Sequence, residues 1–427
     1  IEKRALIRSD QSFKEMTKIL LVKMNEERRS KNEETNRFLI EYISKWSKSE
    51  EVTELEIFKK LFQDAKDSYP AIYNSSEELF KITDNESIVE IIKFLEPWSF
   101  LGTGDDIKGA VYEIFLKSTL RGDFDQYFTP REIVDYMVKF SDPNIGDKIL
   151  DPACGSGGFL IQSFNHVNQR IIDSPFSEVE SKKKFNHLVD KCLWGHEADE
   201  DLHVLAKINL IMHGDGYNNI YQGDTLRSDK LPDNSFDLIL TNPPFTIRYN
   251  FSDVLSNYQL GIGKESEELD ILFTEKCVKA LDSSKGGELY IVLPEGLLNV
   301  QSYLYFREWL LEECYIVTVI SLPEGAFIPF GKSVSKTTII GLRKKDKTNP
   351  EQNKPNKVFL GNAKEVGYET GKSTYKVKDK NDLNEFLIKS QSYFEGIYET
   401  GTGGECGWID QEEIISKRID ATYLLNL

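Results

Sequence analysis

From residue 146 to about 345 the chain alternates short apolar runs with amphipathic stretches, a rhythm that few architectures accept. Residues 148–153, 193–197, 220–223, 236–241, 288–293, 318–322 and 337–342 have the length and content of buried strands. Between them, 158–170, 199–212, 267–281 and 302–313 repeat apolar residues at helical spacing. Strands alternating with helices predict an α/β fold with a parallel, doubly wound, Rossmann-like sheet. Such sheets take ligands outside the carboxyl ends of their strands, near the point where strand order reverses.

The preceding segment has a different period. Phe13, Met16, Ile19, Leu20 and Met24 recur at helical spacing. So do Phe38, Leu39, Tyr42, Ile43 and Trp46, and again Ile88, Ile91, Ile92 and Leu95, with charged residues in the gaps. These predict a helical N-terminal domain over 1–125, with Gly102-Thr103-Gly104-Asp105-Asp106 ahead of a last helix at 107–120. The strand–helix domain then spans 126–345. Residues 346–427 form a C-terminal extension: 343–357 is rich in Lys, Asn, Asp and Pro, and Thr400-Gly401-Thr402-Gly403-Gly404 is a flexible stretch. A length of 427 residues suits two or three domains.

At the end of the first strand stands Asp151-Pro152-Ala153-Cys154-Gly155-Ser156-Gly157-Gly158-Phe159. Glycines let the backbone turn sharply and approach a ligand closely, and the following helix points its amino end at that ligand. The spacing is neither the dinucleotide Gly-x-Gly-x-x-Gly form nor a triphosphate loop. A carboxylate beside the glycines repels phosphate and suits a cation. S-adenosylmethionine, with an ammonium and a sulfonium, fits Asp151, with Ala153, Gly155 and Gly157 along the loop. A bare strand–helix turn is the competing reading. Glu197 ends the next strand, where an acidic side chain usually bonds ribose hydroxyls; a helix N-terminal charge is the alternative there. Asp224 ends the third strand and could accept from the exocyclic amine of the cofactor adenine, or serve only its turn.

The run 236–241 leads into Asn242-Pro243-Pro244-Phe245. An adenine amine is a poor nucleophile because its lone pair is delocalised into the ring. Two acceptors on its hydrogens draw it toward tetrahedral geometry. Asn242 offers a side-chain oxygen and Pro243 a carbonyl, and the two prolines restrict the backbone between them. Phe245 can stack on a base, which offsets part of the few kcal/mol needed to flip it from a duplex. This scheme requires no metal, nucleophile or general base. It predicts methyl transfer to an amino nitrogen, with adenine in DNA as the expected target.

These residues resemble the amino-group DNA methyltransferases, and among them the adenine-N6 enzymes with the cofactor loop ahead of the catalytic tetrapeptide. Asp125-Gln126-Tyr127-Phe128-Thr129-Pro130-Arg131-Glu132-Ile133-Val134 looks like the segment preceding the cofactor loop in modification subunits of type I restriction-modification systems. The methylase part of a related fused restriction-modification enzyme is similar. The resemblance covers about residues 100–345. It implies that Phe128, Thr129 and Pro130 line the cofactor site. It also implies that Leu293-Pro294-Glu295-Gly296-Leu297-Leu298 and Leu322-Pro323-Glu324-Gly325-Ala326-Phe327 flank the target pocket. The implied partners are double-stranded DNA, a specificity subunit or fused target-recognition domain, and a restriction subunit. Lys417-Arg418-Ile419-Asp420-Ala421-Thr422-Tyr423 looks like the junction where such a domain is fused.

Charge bears on those partners. The net charge is −17 and the isoelectric point about 5.0, a poor match to phosphate backbones unless basic residues gather in one cleft or a partner supplies affinity. Lys182-Lys183-Lys184 could make such contact, though a solvated loop is the better reading; Lys332, Lys336 and 343–345 are open between the same two readings. Five cysteines with no close pair form neither a disulfide framework nor a zinc site, which suits a reducing, cytoplasmic setting. His187, His196, His203 and His213 match no metal spacing and read as core or helix-surface residues. No run of about 18 apolar residues suggests a membrane span. Two rivals remain: a methyltransferase acting on a protein glutamine or RNA base through the same corner, and a non-catalytic scaffold binding DNA or a specificity subunit.

Overall fold

A computed structural model describes residues 9–31, 35–72, 79–101, 128–214, 216–245, 247–327, 336–368, 376–394 and 405–426. The chain forms two compact units, one from 1–125 with 204–218, the other from 126–203 with 219–427. The stretch 102–106, the expected helix at 107–120 and the segment 125–127 lie outside the described residues, as do 400–404 and Lys332.

The first unit contains α1 (Ser9–Lys31), α2 (Ile40–Glu50), α3 (Glu54–Ser68) and α4 (Asn85–Leu95). Helix α3 begins at a reciprocal cap between Thr53 and Glu56 and buries Leu55, Ile57, Phe58, Leu61 and Phe62. Asp84 caps α4 by accepting from Ser87 N–H at 2.8 Å. Helix α1 draws charges inside: Glu15, Lys18, Lys23, Glu26 and Glu27 are all buried. Each is met. Lys18 Nζ lies 2.7 Å from Glu15, Arg37 Nη2 donates to Glu26 at 2.7 Å, and Glu27 accepts from the Phe100 and Leu101 amides.

The second unit is organised by one nine-stranded sheet. In chain order it uses β1 (Ile149–Asp151), β2 (Leu193–Glu197), β3 (Ile220–Gln222), β4 (Leu238–Thr241), β5 (Glu288–Pro294), β6 (Cys314–Ser321), β7 (Thr337–Lys344), β8 (Lys357–Asn362) and β9 (Cys406–Asp410). Across the sheet the order is β9-β8-β6-β7-β5-β4-β1-β2-β3. Helices connect the strands: α5 (Arg131–Ser141) precedes β1, α6 (Gly158–Asp173) and α7 (Glu178–His187) follow it, and between β2 and β3 the chain runs through α8 (Glu200–His213), which from residue 204 onward belongs to the first unit. Helix α9 (Leu269–Ala280) precedes β5, and α10 (Leu304–Glu313) joins β5 to β6. Strand order reverses between β1 and β4, which pair in parallel.

The sheet is doubly wound but not wholly parallel, a correction to the expectation. Strand β7 runs antiparallel to both β5 and β6. The crossover through α10 leaves a gap one strand wide, and β7 returns into that gap in the opposite sense. Strand β6 also begins at Cys314 rather than 318. Beyond residue 345 the apolar run Val358-Phe359-Leu360 is fully buried. It forms β8, parallel to β6, and β9 pairs antiparallel on its far side, so the extension continues the same sheet. Helix α11 (Asp382–Phe394) separates β8 and β9 in the chain.

One apolar cluster runs from Leu150 through Ile239, Ile291 and Val319 to Leu360, Ile419 and Leu424. The buried Arg307 of α10 fixes its last segment through backbone carbonyls: its guanidinium donates to those of Leu297 (3.0 Å), Val300 (2.9 Å), Ser416 (2.6 Å) and Lys417 (2.9 Å). The Ile419 amide donates to Leu298 O at 3.0 Å. The junction-like segment is therefore docked beside the turn that follows β5.

Candidate active site

Parallel pairing brings the carboxyl ends of β3, β2, β1 and β4 to one edge in that order. At or just beyond those ends stand Asp224, Glu197, Asp151 and Asn242. Four side chains that the sequence spreads over about ninety residues thus share one edge.

Asp151 is 1% exposed. Its Oδ1 accepts from Thr241 Oγ1 at 2.8 Å and from Ala153 N–H at 3.1 Å. Burial pushes its carboxyl up to about 7, against the pull of those hydrogen bonds, and the Glu197 charge adds to the rise. No lysine or arginine among the described residues compensates it. A buried carboxylate without a cation is what a positively charged ligand would complete.

The loop that follows needs its glycines. Gly155 and Gly157 have φ of 51° and 87°, in the left-handed region, and Gly157 takes the N-cap of α6. Gly157 N–H donates to Cys154 O at 2.7 Å, and Cys154 N–H to His196 O at 3.0 Å. Ala153 is half-buried, while Cys154 is packed inside. Gly195 of β2 lies beneath: a Cβ there would stand 2.9 Å from Leu160 Cδ1 and 3.2 Å from Cys154 Sγ.

Glu197 and Asp224 both carry structural bonds. Glu197 is buried, and burial raises its carboxyl. Oε2 accepts from Gly155 N–H and Oε1 from Asp199 N–H, each at 2.8 Å, so it ties the glycine loop to the turn after β2. Each oxygen keeps a further lone pair for a hydroxyl donor. Asp224 accepts from Leu226 N–H at 2.9 Å, and its Oδ2 from the Tyr249 hydroxyl at 2.6 Å, with Arg227 Nε at 3.4 Å.

The sequence reading missed three contributors. Thr241 looks like any buried strand residue, Tyr249 follows the corner with no motif of its own, and Thr225 is simply the residue after Asp224. Thr225 Oγ1 donates to Pro152 O at 2.6 Å and lies 3.2 Å from His196 Nδ1. Burial pushes the His196 imidazole down to about 4, so it is neutral and braces the loops. His203 Nε2 and His213 Nδ1 meet the carbonyls of Ile220 and Asn209. Among the described residues no three His, Cys, Asp or Glu side chains converge as metal ligands.

At the corner, Pro243 is buried, and Asn242, Pro244 and Phe245 are half-buried. Asn242 Nδ2 donates to Thr129 Oγ1 at 3.0 Å, while Asn242 Oδ1 is buried without a partner among the described residues. Phe128, Thr129 and Pro130 lie just before α5, with Phe128 and Thr129 half-buried and Pro130 buried. The Phe245 ring meets Phe327 edge-on, centroids 5.7 Å apart. Glu295, after β5, accepts from Ser321 Oγ and pairs with Lys336 Nζ at 3.0 Å.

Most of the described cations weighed for phosphate contact are engaged within the protein. Lys336 serves Glu295, Arg343 Nη2 donates to Glu288 at 2.6 Å, and Lys344 and Lys345 donate to carbonyls. Lys182 and Lys183 stay exposed on α7.

Residues 103–418 match the family model described as N-6 DNA Methylase. The chain belongs to the N-6 DNA methylase family. It is 29% identical over 232 residues to the type I restriction enzyme EcoEI methylase subunit of Escherichia coli, covering 52% of this chain and 44% of that one. It is 30% identical over 232 residues to the type II restriction enzyme and methyltransferase RM.BcgI of Heyndrickxia coagulans, covering 53% and 33%. The chain spans about half the length of the first curated relatives it matches. The type I restriction-modification system methyltransferase subunit of Streptococcus thermophilus has the same fold, with a TM-score of 0.64 at 19% identity, covering 91% of this chain and 80% of that one. In this N-6 DNA methylase the family match takes in the Gly loop, the Asn242–Phe245 corner and strands β8 and β9. No described helix is long and apolar enough to cross a membrane.

Proposed function

We propose that this chain transfers a methyl group from S-adenosylmethionine to N6 of an adenine flipped out of double-stranded DNA, as the modification part of a restriction-modification or related phage-defence system. One observation carries the reading: Asn242 Oδ1 is a buried acceptor without a partner among the described residues, and Thr241, the residue before it, donates to the buried Asp151 carboxylate, which no lysine or arginine among the described residues meets. An unsatisfied buried acceptor costs about 1–3 kcal/mol, and an amine hydrogen would recover that.

The chain's residues divide the work. Asp151 holds the cationic end of the cofactor, Gly155 and Gly157 let the backbone approach it, and Glu197 braces the loop and offers its remaining lone pairs to hydroxyls. Asp224, steadied by Tyr249, stands at the adenine end. Phe128 and Pro130 line the same side. Bound there, S-adenosylmethionine supplies a methyl group on a positively charged sulfur. Asn242 Oδ1 and the Pro243 carbonyl accept from the target amine and localise its lone pair; because they are already in position, little reorganisation is needed. Phe245 stacks on the flipped base, with Phe327 behind it.

Recognition of the DNA sequence falls to a specificity subunit or a fused target-recognition domain, and a restriction subunit would complete the system. The charge of −17 and the internal pairing of most candidate cations support that division. A cytoplasmic location follows from such a role. The test is incubation with labelled S-adenosylmethionine and unmethylated bacterial DNA, with and without candidate specificity subunits, then digestion to nucleosides. Label in N6-methyladenine supports the proposal. Label only in protein glutamine or RNA, or cofactor binding with no transfer in the full-length assembly, overturns it.

A further inference from the structure

Thr129 and Asn242 are 113 residues apart in sequence, and the one hydrogen bond between them runs from Nδ2 to Oγ1 at 3.0 Å. In this arrangement the amide NH2 donates and the Thr129 hydroxyl accepts, so the contact anchors that end of the Asn242 amide. The other end, Oδ1, is left buried without a partner among the described residues. With the amide reversed, two N–H donors would occupy the position of the acceptor. A target amine is itself a donor, and donor facing donor repels.

The support under Thr129 is rigid. Pro130 follows it at the N-cap of α5, and the Pro130 carbonyl accepts from the amides of Ile133 at 3.0 Å and Val134 at 3.1 Å. Helix α5 then buries Ile133, Val134, Tyr136, Met137 and Val138. The Thr129 hydroxyl is thus held by a packed helix start, while Asn242 is held by β4 and two prolines.

We infer that Thr129 is a positioning residue for the acceptor side of the site: its hydroxyl anchors the Asn242 amide through Nδ2 and leaves Oδ1 to face the target amine. The inference rests on the methyl-transfer reading above. It departs from the role that family resemblance implies for Thr129, a lining of the cofactor site.

The test compares Thr129→Val, which keeps the shape and removes the hydroxyl, with Thr129→Ser, which keeps the hydroxyl. Both are measured in the full-length protein, with S-adenosylmethionine and unmethylated double-stranded DNA, under conditions where the wild type transfers methyl groups. In Thr129→Val, kcat should fall about tenfold while cofactor Kd stays within about twofold, and Thr129→Ser should stay close to wild type. An unchanged kcat, a loss that vanishes at saturating cofactor, or equal damage in both variants overturns the inference. A readout independent of turnover accompanies it. In protein carrying isotope-labelled asparagine, the amide signal that disappears in Asn242→Ala should move in Thr129→Val and hold in Thr129→Ser. If the wild type methylates no DNA, the functional proposal fails, yet an unmoved amide signal would still overturn the role of Thr129 by itself.

Discussion

The Thr241 hydroxyl donates to the Asp151 carboxylate at 2.8 Å across a sequence separation of 90 residues. The bond joins the last residue of β4, where the Asn242–Phe245 corner starts, to the last residue of β1, where the glycine loop starts. The two halves of the site are therefore held in one register by adjacent strands and by this bond between their ends.

In the proposed role, Asp151 should make cofactor binding pH-dependent. Burial raises its folded pKa to about 7, above the ordinary value near 4. In the free protein, ionising it opposes folding, so its contribution to stability falls as pH rises from about 4 to about 7 and is level above. A cation needs the ionised form. Affinity for S-adenosylmethionine should therefore rise up to about tenfold per pH unit below pH 7 and flatten above it, with proton release on binding. Calorimetry in buffers of different ionisation heat checks this. Asp151→Asn should bind weakly and remove the pH dependence; affinity that stays flat with pH in the wild type would show that Asp151 does not face the charge.

Removing the corner's acceptor should separate chemistry from cofactor binding. Asn242→Ala is expected to lower kcat by about a hundredfold or more, since a pre-positioned acceptor acts on charge developing in the transition state. The S-adenosylmethionine Kd should change little. Parallel loss of both would mean that Asn242 supports the fold of the site instead.

Gly195 leaves little room for a side chain. A Cβ would approach the ends of Leu160 and Ile220 to 2.9 Å and Cys154 Sγ to 3.2 Å. Gly195→Ala should cost about 1–3 kcal/mol by overpacking. Because Cys154 belongs to the Gly loop, cofactor affinity should weaken too. Thermal unfolding and equilibrium binding on the same sample measure both; a neutral variant would mean that the loop yields freely.

Replacing Arg307 by Met keeps the bulk of a buried side chain and deletes donors to four carbonyls. The expected loss is about 3 kcal/mol or more, read from the denaturant midpoint. Limited proteolysis should then cut at 411–426 before the rest of the chain. Cleavage elsewhere first would argue against a role in docking that segment.

The strand-end residues were legible because apolar runs mark strands and the residue closing each run must stand at a strand end. Asp151, Glu197, Asp224 and Asn242 were found that way. The direction of β7 was not legible: an apolar strand reads the same in either sense, and only its neighbours orient it. Strands β8 and β9 were hidden by the polar stretch before them. The partners of the site were hidden for another reason. Thr241, Tyr249 and Arg307 act through contacts 90, 25 and about 110 residues away, and no local pattern encodes a contact at that range. The charges of α1 misled similarly, since a Glu destined to meet Arg37 has the same spelling as one facing water.

Pairing of β8 against β6 has a practical consequence for anyone shortening this protein. Phe359 to Asn362 cover Thr318 to Ser321 along one side of β6. A truncation after residue 345, where composition suggests a clean break, would uncover an apolar edge with a row of unmet amides and carbonyls. Such an edge is a template for another copy of itself, so the shortened protein should aggregate during expression rather than yield a minimal methyltransferase.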